Sequence, residues 1–177
     1  MMQDNPTRYG TLSRLFHWGI GVVFIVILGV GLFMGDLEAG ATKMTVYTLH
    51  KSFGVTVFVF MFARALWRMQ NGFIPLPERT PQIVKWAARA NIVLLYICLF
   101  LMPLSGILMS LLGGYGINYF GVFTIPPVFS EKTPAAGFFY ETHEVTGTIV
   151  MIALVLHVAG SLYHHFIRRD GVLRRML

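Results

Sequence analysis

The sequence predicts an all-α integral membrane protein, a bundle of four helices that cross a lipid bilayer. Apolar residues make up 55% of the 177-residue chain and charged residues only 12%, against about 25% charged residues in an average soluble protein. The mean hydropathy of +0.65 agrees with this balance. Four long apolar runs divide the chain, each near or above the ~20 residues that a helix needs to cross a membrane. A soluble fold of this size would lack the polar surface to cover itself, so lipid is the expected solvent.

We predict a single transmembrane domain over residues 1–177. Its helices are expected at about residues 14–35, 44–68, 87–112 and 140–168. The first run is long for the apolar part of a signal peptide and contains a histidine. We therefore expect it to be retained as a helix.

Lysine and arginine are distributed unequally between the two ends of the predicted bundle. Eleven of them lie near the end that holds both termini and the loop between the second and third helices. Three lie near the opposite end: Lys43, Lys51 and Lys132. Because positive side chains in short loops remain in the cytoplasm, both termini are predicted to be cytoplasmic. This topology accounts for the net charge of +6, so the charge does not indicate a nucleic-acid partner.

Two loops and two single residues complete the outline. The loop at residues 70–84 contains three prolines and is predicted to be cytoplasmic. The loop at residues 113–139 is the longest and rich in aromatic residues, and is predicted to lie along the outer interface as a lid or a short surface helix. Pro103 should kink the third helix and free a carbonyl that needs another partner. The single cysteine, Cys98, excludes an intrachain disulfide and a cysteine-ligated iron–sulfur cluster.

Four histidines lie within or beside the predicted spans: His17, His50, His143 and His157. An ionisable group inside a membrane is costly and tends to be functional, although a lone histidine is commonly explained by an interhelical hydrogen bond. His143 and His157 share a helix, about 21 Å apart and within about 40° of one face. Judged by depth, His50 pairs with His143 near the outer end and His17 pairs with His157 near the inner end. Two imidazoles at one level can occupy both axial positions of a haem iron, so the pattern predicts two haems stacked across the bilayer.

Glycines accompany these histidines. Gly54 follows His50 by four residues and Gly147 follows His143 by four, which would leave room for a flat porphyrin one helical turn away. Glycine is also common in transmembrane helices. Tetrahedral zinc is the weaker interpretation, because its ligands must converge at one depth.

Further polar residues lie near the inner end. Arg64 and Arg14 either anchor the helices at the membrane boundary or bind the propionates of the inner haem. His164, seven residues beyond His157, is a rival partner for His17. We favour His157 because the alternative would place the haem levels ~31 Å apart along the helix, a poor distance for electron transfer.

The stretches that contain these residues resemble the bacterial cytochrome b561 family, the small four-helix diheme b-type cytochromes that include the superoxide:ubiquinone oxidoreductases. The resemblance covers essentially the whole chain. It depends on residues 14–18 (RLFHW), 49–50 (LH) with Gly54, 67–68 (WR), 140–144 (YETHE), 156–157 (LH), 164–165 (HH) and 169–176 (RDGVLRRM). The family's haem-ligand positions correspond to His17, His50, His143 and His157. The third helix has no histidine where some relatives have one, so no ligand is assigned to it.

This resemblance implies two haem b cofactors in a protein of the bacterial inner membrane. Electrons would pass from a periplasmic donor, superoxide, through the outer and then the inner haem to ubiquinone. His164 is then a candidate proton donor to the quinone. Lys51, adjacent to His50, is the best candidate for attracting an anion, although the outer end carries more acidic than basic residues.

Two alternatives remain open from the sequence. The chain could be a non-enzymatic electron carrier, or the cytochrome b subunit of a membrane dehydrogenase or hydrogenase-type complex, with the aromatic outer loop as its docking face. It could also be a haem-free helical membrane protein whose histidines only pack.

Overall fold

A computed structural model describes residues 2–177, and within that range four long helices run through the molecule. Their bounds are Thr11–Phe33 (α1), Ala41–Asn71 (α2), Gln82–Leu112 (α3) and Pro134–Leu162 (α4). All four are long and apolar enough to cross a membrane, which confirms the predicted four-helix membrane bundle. Each helix begins a few residues before its predicted start.

Residues with restricted or unusual backbones mark the helix ends. Pro134 occupies the first turn of α4, where the missing N–H has no helical partner to lose. The hydroxyl of the preceding Thr133 donates to the Leu112 carbonyl at 3.0 Å, which ties the start of α4 to the end of α3. At the end of α2, Gly72 adopts a left-handed φ of +66°, and its N–H donates to the Arg68 carbonyl, as is common where helices terminate.

The helices pack as two main pairs, α1 with α2 and α3 with α4, and α2 also contacts α3. Apolar side chains from all four meet in the middle of the bundle, and Met61 of α2 and Val150 of α4 are fully buried there. Large apolar side chains also cover the outside of every helix, among them Val22, Val59 and Ile152. A helix that is apolar on all sides is typical of a membrane span.

The long loop between α3 and α4 contains a β-hairpin. Of the two predicted forms, a lid or a short surface helix, the short surface helix was wrong. Strands Ile117–Tyr119 (β1) and Phe123–Ile125 (β2) pair antiparallel. The two central turn residues, Phe120 and Gly121, both have positive φ, 49° and 76°. This is the turn geometry that matches the twist of a tight hairpin.

Ser52 of α2 holds the hairpin against the bundle. Its hydroxyl accepts the N–H of Phe120 at 3.0 Å and lies 3.0 Å from the carbonyl oxygen of Asn118. Deeper on α2, the Thr56 hydroxyl lies 3.1 Å from the Tyr119 hydroxyl. Ser52 is fully buried, so the hairpin is a packed part of the fold.

At the opposite end, the segment before α1 is tied to α2 by a buried ion pair. Nη2 of Arg68 lies 2.6 Å from Oδ2 of Asp4, and Arg68 is 6% exposed. The other carboxylate oxygen, Oδ1, accepts the Gly10 N–H at 2.8 Å and the Ser13 hydroxyl at 2.6 Å. Burial raises the pKa of Asp4, but the hydrogen bonds from Ser13, Gly10 and Arg68 outweigh it and hold this pKa below its ordinary 3.8. We call these four residues the Asp4–Arg68 cluster.

Candidate functional site

The first histidine pair joins α2 to α4 on the hairpin side of the bundle. The ring centroids of His50 and His143 are 6.3 Å apart and their planes cross at 78°. Nδ1 of His143 lies 2.7 Å from the Met102 carbonyl oxygen, which can only accept, so Nδ1 carries the ring proton. Nε2 of His143 therefore keeps the lone pair that a metal requires. Nδ1 of His50 is buried without a partner at hydrogen-bond geometry, although the Ile27 backbone interacts with this ring.

Two glycines of neighbouring helices give these rings their room. A Cβ atom on Gly106 of α3 would lie 3.0 Å from Cε1 of His143, and one on Gly31 of α1 would lie 3.2 Å from Cε1 of His50. Both distances are closer than ordinary contact, so a side chain at either position would displace an imidazole. Sequence reasoning missed both glycines, because no fixed spacing relates them to a histidine.

Free space flanks the same pair. Two small cavities of about 30 Å³ each are both lined by His50, Gly54, Pro103 and His143. A Cβ atom on Gly54 would meet nothing within 4 Å. Gly54 therefore borders open space beside the histidines.

The second pair joins α1 to α4, with the ring centroids of His17 and His157 6.0 Å apart. Arg64 of α2 lies beside it: its Nη2 is 3.3 Å from Nδ1 of His17, and its Nε donates to the Tyr96 hydroxyl at 3.2 Å. Because a guanidinium can only donate, Nδ1 of His17 is the acceptor in this contact. A ring that binds iron through Nε2 carries its proton on Nδ1. A metal-bound His17 would therefore release Arg64 to another acceptor.

The spacing within both pairs fits a shared iron ion. Two imidazoles bound to one metal through nitrogen bonds of about 2 Å have ring centroids about 6 Å apart, and the observed distances are 6.3 and 6.0 Å. Among residues 2–177, no group of three or more His, Cys, Asp or Glu side chains is placed to hold a metal ion. Two protein ligands per metal suit an iron whose other four ligands come from a porphyrin.

The predicted basic residues occupy different surroundings. Lys51 lines the cavity beside His50 and donates to the Ser110 hydroxyl at 2.6 Å. Its Nζ also lies 5.6 Å from the centroid of the Tyr115 ring. Arg14, for which the sequence left anchoring and propionate binding open, donates through Nη1 to the Leu177 carbonyl, and its Nε is buried without a partner.

His164 is buried at the inner end, in a π-helical turn, Tyr163–Arg168, that continues α4. Its Nδ1 lies 2.6 Å from Oδ2 of Asp170. Burial raises the pKa of Asp170, but hydrogen bonds from His164, the Val172 N–H and Arg168, together with the charge interaction with His164, hold this pKa below its ordinary 3.8. Sequence reasoning singled out His164 but missed Asp170, although the Asp-Gly pair at 170–171 is a turn signal.

Comparison with known proteins decides the family. The model of the family described as prokaryotic cytochrome b561 matches residues 8–177. The chain belongs to the prokaryotic cytochrome b561 family. Two proteins of Escherichia coli K12 are similar to it over nearly their whole length. Cytochrome b561 homolog 2 is 34% identical, over 98% of this chain and 93% of its own, and cytochrome b561 homolog 1 is 23% identical, over 96% and 97%.

A third relative, from Yersinia pestis, is named probable superoxide oxidase CybB and is 22% identical over 96% of each chain. Membership of the cytochrome b561 family makes this chain a membrane electron carrier and implies haem b. With its four candidate spans, it is a multi-pass protein of the bacterial inner membrane. The resemblance stated from the sequence is thereby confirmed.

Proposed function

We propose that this cytochrome b561 is a superoxide:ubiquinone oxidoreductase with two haems b, one at each histidine pair. The observation that supports two haems is the repeated spacing of about 6 Å between paired rings, at two levels of the bundle. A haem b at each level would supply reversible one-electron transfer at iron. We infer that the hairpin side faces the periplasm, because the arginine-rich end belongs in the cytoplasm.

Residues of the chain would determine how a haem is held at each of the two histidine pairs. His50 with His143, and His17 with His157, would hold the two haems, and a haem held by a pair of imidazoles would supply electron transfer. The Met102 carbonyl fixes the proton of His143 on Nδ1. All four rings are half-buried.

Superoxide is an anion, and Lys51 is the basic residue that lines the periplasmic cavity. Lys43, at the same end, is engaged by the carbonyls of Gly35 and Leu37 at 2.7 and 2.9 Å. A positive charge beside the outer pair would raise the local concentration of an anionic donor. Lys51 is therefore the residue proposed to guide superoxide.

The electrons and protons of the proposed superoxide:ubiquinone reaction balance. Two superoxide anions each lose one electron and leave as dioxygen, while one ubiquinone gains two electrons and two protons. The protons would come from the cytoplasmic end, where His164 is the buried imidazole beyond the inner pair. Imidazole titrates in the physiological range and suits proton donation.

Removal of one ligand should remove one haem, because the porphyrin then loses one of its two bonds to the protein. We expect His50→Ala and His143→Ala to lose the outer haem, and His17→Ala and His157→Ala to lose the inner one. Haem per chain and redox titration of the visible spectrum would measure both. His165→Ala is the control, because this ring contacts only Phe166 among aromatic residues and should keep both haems. Retention of both haems in any of the four ligand variants would show that assignment to be wrong.

Stopped-flow mixing of the oxidised protein with superoxide tests the donor. We expect rapid haem reduction, followed by reoxidation when a soluble ubiquinone analogue is added. Lys51→Met should slow the reduction about tenfold at low ionic strength, and added salt should shrink the difference. Lys132→Met, at an exposed lysine of the same end, should react like wild type.

Slow reduction by superoxide, with normal reduction by another one-electron donor, would instead favour the alternative of a carrier or a subunit of a dehydrogenase or hydrogenase-type complex. One observation supports that alternative. Val122 and Phe123 of the hairpin are 78% and 52% exposed, and such apolar surface could contact a partner protein.

A further inference from the structure

We propose that Asp170 is a positioning residue that orients His164 for proton transfer to the quinone, an inference that rests on the quinone reduction proposed above. Oδ2 of Asp170 lies 2.6 Å from Nδ1 of His164. The His164 side chain is 6% exposed and that of Asp170 13% exposed. A short contact with so little water fixes the ring in one orientation.

The backbone after α4 is shaped to bring this carboxylate back onto the helix. Arg169 and Gly171, on either side of Asp170, have left-handed φ values of 53° and 76°. A non-glycine residue in this region is uncommon. The Asp170 N–H approaches the His164 carbonyl at 3.4 Å, and Oδ1 accepts the Val172 N–H at 3.3 Å. The turn therefore positions the carboxylate through its own backbone as well as through the histidine.

The remaining contacts of this pair come from one arginine and one tyrosine. Nε of Arg168 lies 3.3 Å from Oδ2 of Asp170, and its Nη2 donates to the Arg79 carbonyl, before α3, at 3.0 Å. The Tyr163 ring meets His164 edge-on at 5.8 Å. Arg168 thus steadies the carboxylate, while Asp170 is the group that engages the imidazole nitrogen.

The hydrogen bond made by one ring nitrogen of His164 decides which nitrogen is left to donate a proton. With Nδ1 bound to Asp170, Nε2 is the nitrogen able to give a proton to a quinone carbonyl oxygen. One proton passes from Nε2 to that oxygen as an electron reaches the quinone, the ring regains a proton from cytoplasmic water, and the second carbonyl oxygen takes its proton from cytoplasmic water. Two electrons from two superoxide anions and two protons complete the quinol. A carboxylate on the far nitrogen favours the correct tautomer and stabilises the protonated ring.

The test follows haem reoxidation in the full-length, haem-loaded protein. The protein is reduced chemically, freed of reductant and mixed with ubiquinone-1. We expect Asp170→Asn to slow reoxidation at saturating quinone about tenfold or more, with an unchanged KM and an unchanged rate of reduction by superoxide. Asp170→Glu, which keeps a carboxylate, should recover part of the rate.

Two further variants separate positioning from a general loosening of this end. Asp4→Asn removes the other buried carboxylate of the same end, which contacts Arg68 and Ser13, and should react at the wild-type rate. In a His164→Gln background, Asp170→Asn should have no additional effect, because its action passes through the imidazole.

Equal slowing by Asp170→Asn and Asp4→Asn, or full additivity in the His164→Gln background, would make Asp170 a structural residue and overturn the inference. If ubiquinone-1 reoxidises the wild-type protein and the Asp170→Asn variant at the same rate, the inference about Asp170 is overturned while the proposed function stands. Failure of the wild-type protein to be reoxidised by ubiquinone-1 would overturn the proposed function, and this inference with it.

Discussion

His143 shows, at the scale of a single residue, how a ring is held by contacts from another helix. The Met102 carbonyl of α3 accepts a hydrogen bond from its Nδ1, and the absent side chain of Gly106 leaves space for the ring. Helical periodicity predicted the depth and face of His143 from the sequence. It could not predict which turn of α3 lies opposite, because that depends on how two helices pack.

Gly106→Ala should therefore weaken the outer haem selectively. The added Cβ atom would lie 3.0 Å from Cε1 and 3.1 Å from Nδ1 of His143, so the ring must move away from the Met102 carbonyl. Loss of such a supporting contact typically costs 10–100-fold in metal affinity, and we expect a similar fall in the affinity for the outer haem. Haem titration of each variant would measure it. Gly160→Ala on α4, where a Cβ atom meets nothing within 4 Å, should bind both haems normally, and an unchanged Gly106→Ala would contradict the prediction.

At the scale of a secondary-structure element, the sequence predicted the four helices but not the hairpin. Each helix is a long apolar run, and the thickness of the bilayer makes run length a strong signal. The strands Ile117–Tyr119 and Phe123–Ile125 have only three residues each, too few for an alternating pattern to stand out. The hairpin also depends on Ser52, which lies two helices earlier in the chain and contacts Asn118 of the first strand and Phe120 of the turn.

Ser52→Ala should loosen the hairpin and lower stability. The substitution leaves the part-buried N–H of Phe120 without its hydroxyl acceptor, and loss of such a hydrogen bond costs about 1 kcal/mol. We expect a lower midpoint of thermal unfolding and faster amide exchange in the hairpin. Thr45→Ala is the control, because that exposed hydroxyl bonds only to the Ala41 carbonyl of its own helix. Equal stability of the two variants would show that Ser52 does not anchor the hairpin.

At the scale of the whole molecule, both ends of the described chain meet at one end of the bundle. The Asp4–Arg68 cluster ties the first segment to α2, and Trp18 of α1 donates to the Met176 carbonyl at 2.8 Å. The charge asymmetry predicted that both ends share a side. It could not predict the cluster, since Asp4 lies in a short polar segment without periodicity and far from Arg68 in the chain.

The Asp4–Arg68 cluster should make the stability of the folded protein fall at acidic pH. The folded pKa of Asp4 is held below its ordinary 3.8, so its stabilisation is fully present above that value and is lost as pH falls through the folded pKa. Unfolding midpoints measured from pH 7 downward should therefore drop below about pH 4. Asp4→Asn should be less stable at neutral pH and should lose part of this dependence, with Asp170 supplying the remainder. Asp36→Asn, at an exposed aspartate of the other end, should keep the wild-type profile, and an identical profile for Asp4→Asn would refute the assignment.

Both histidine pairs include a residue of α4, the last of the four long helices to leave the ribosome. The rings of α1 and α2 are made early, yet neither has its counterpart until α4 has entered the bilayer. A prosthetic group that is bound by both histidines of a pair can therefore bind only when synthesis is nearly finished. Pigmentation of the nascent protein would thus report that its final span has been inserted.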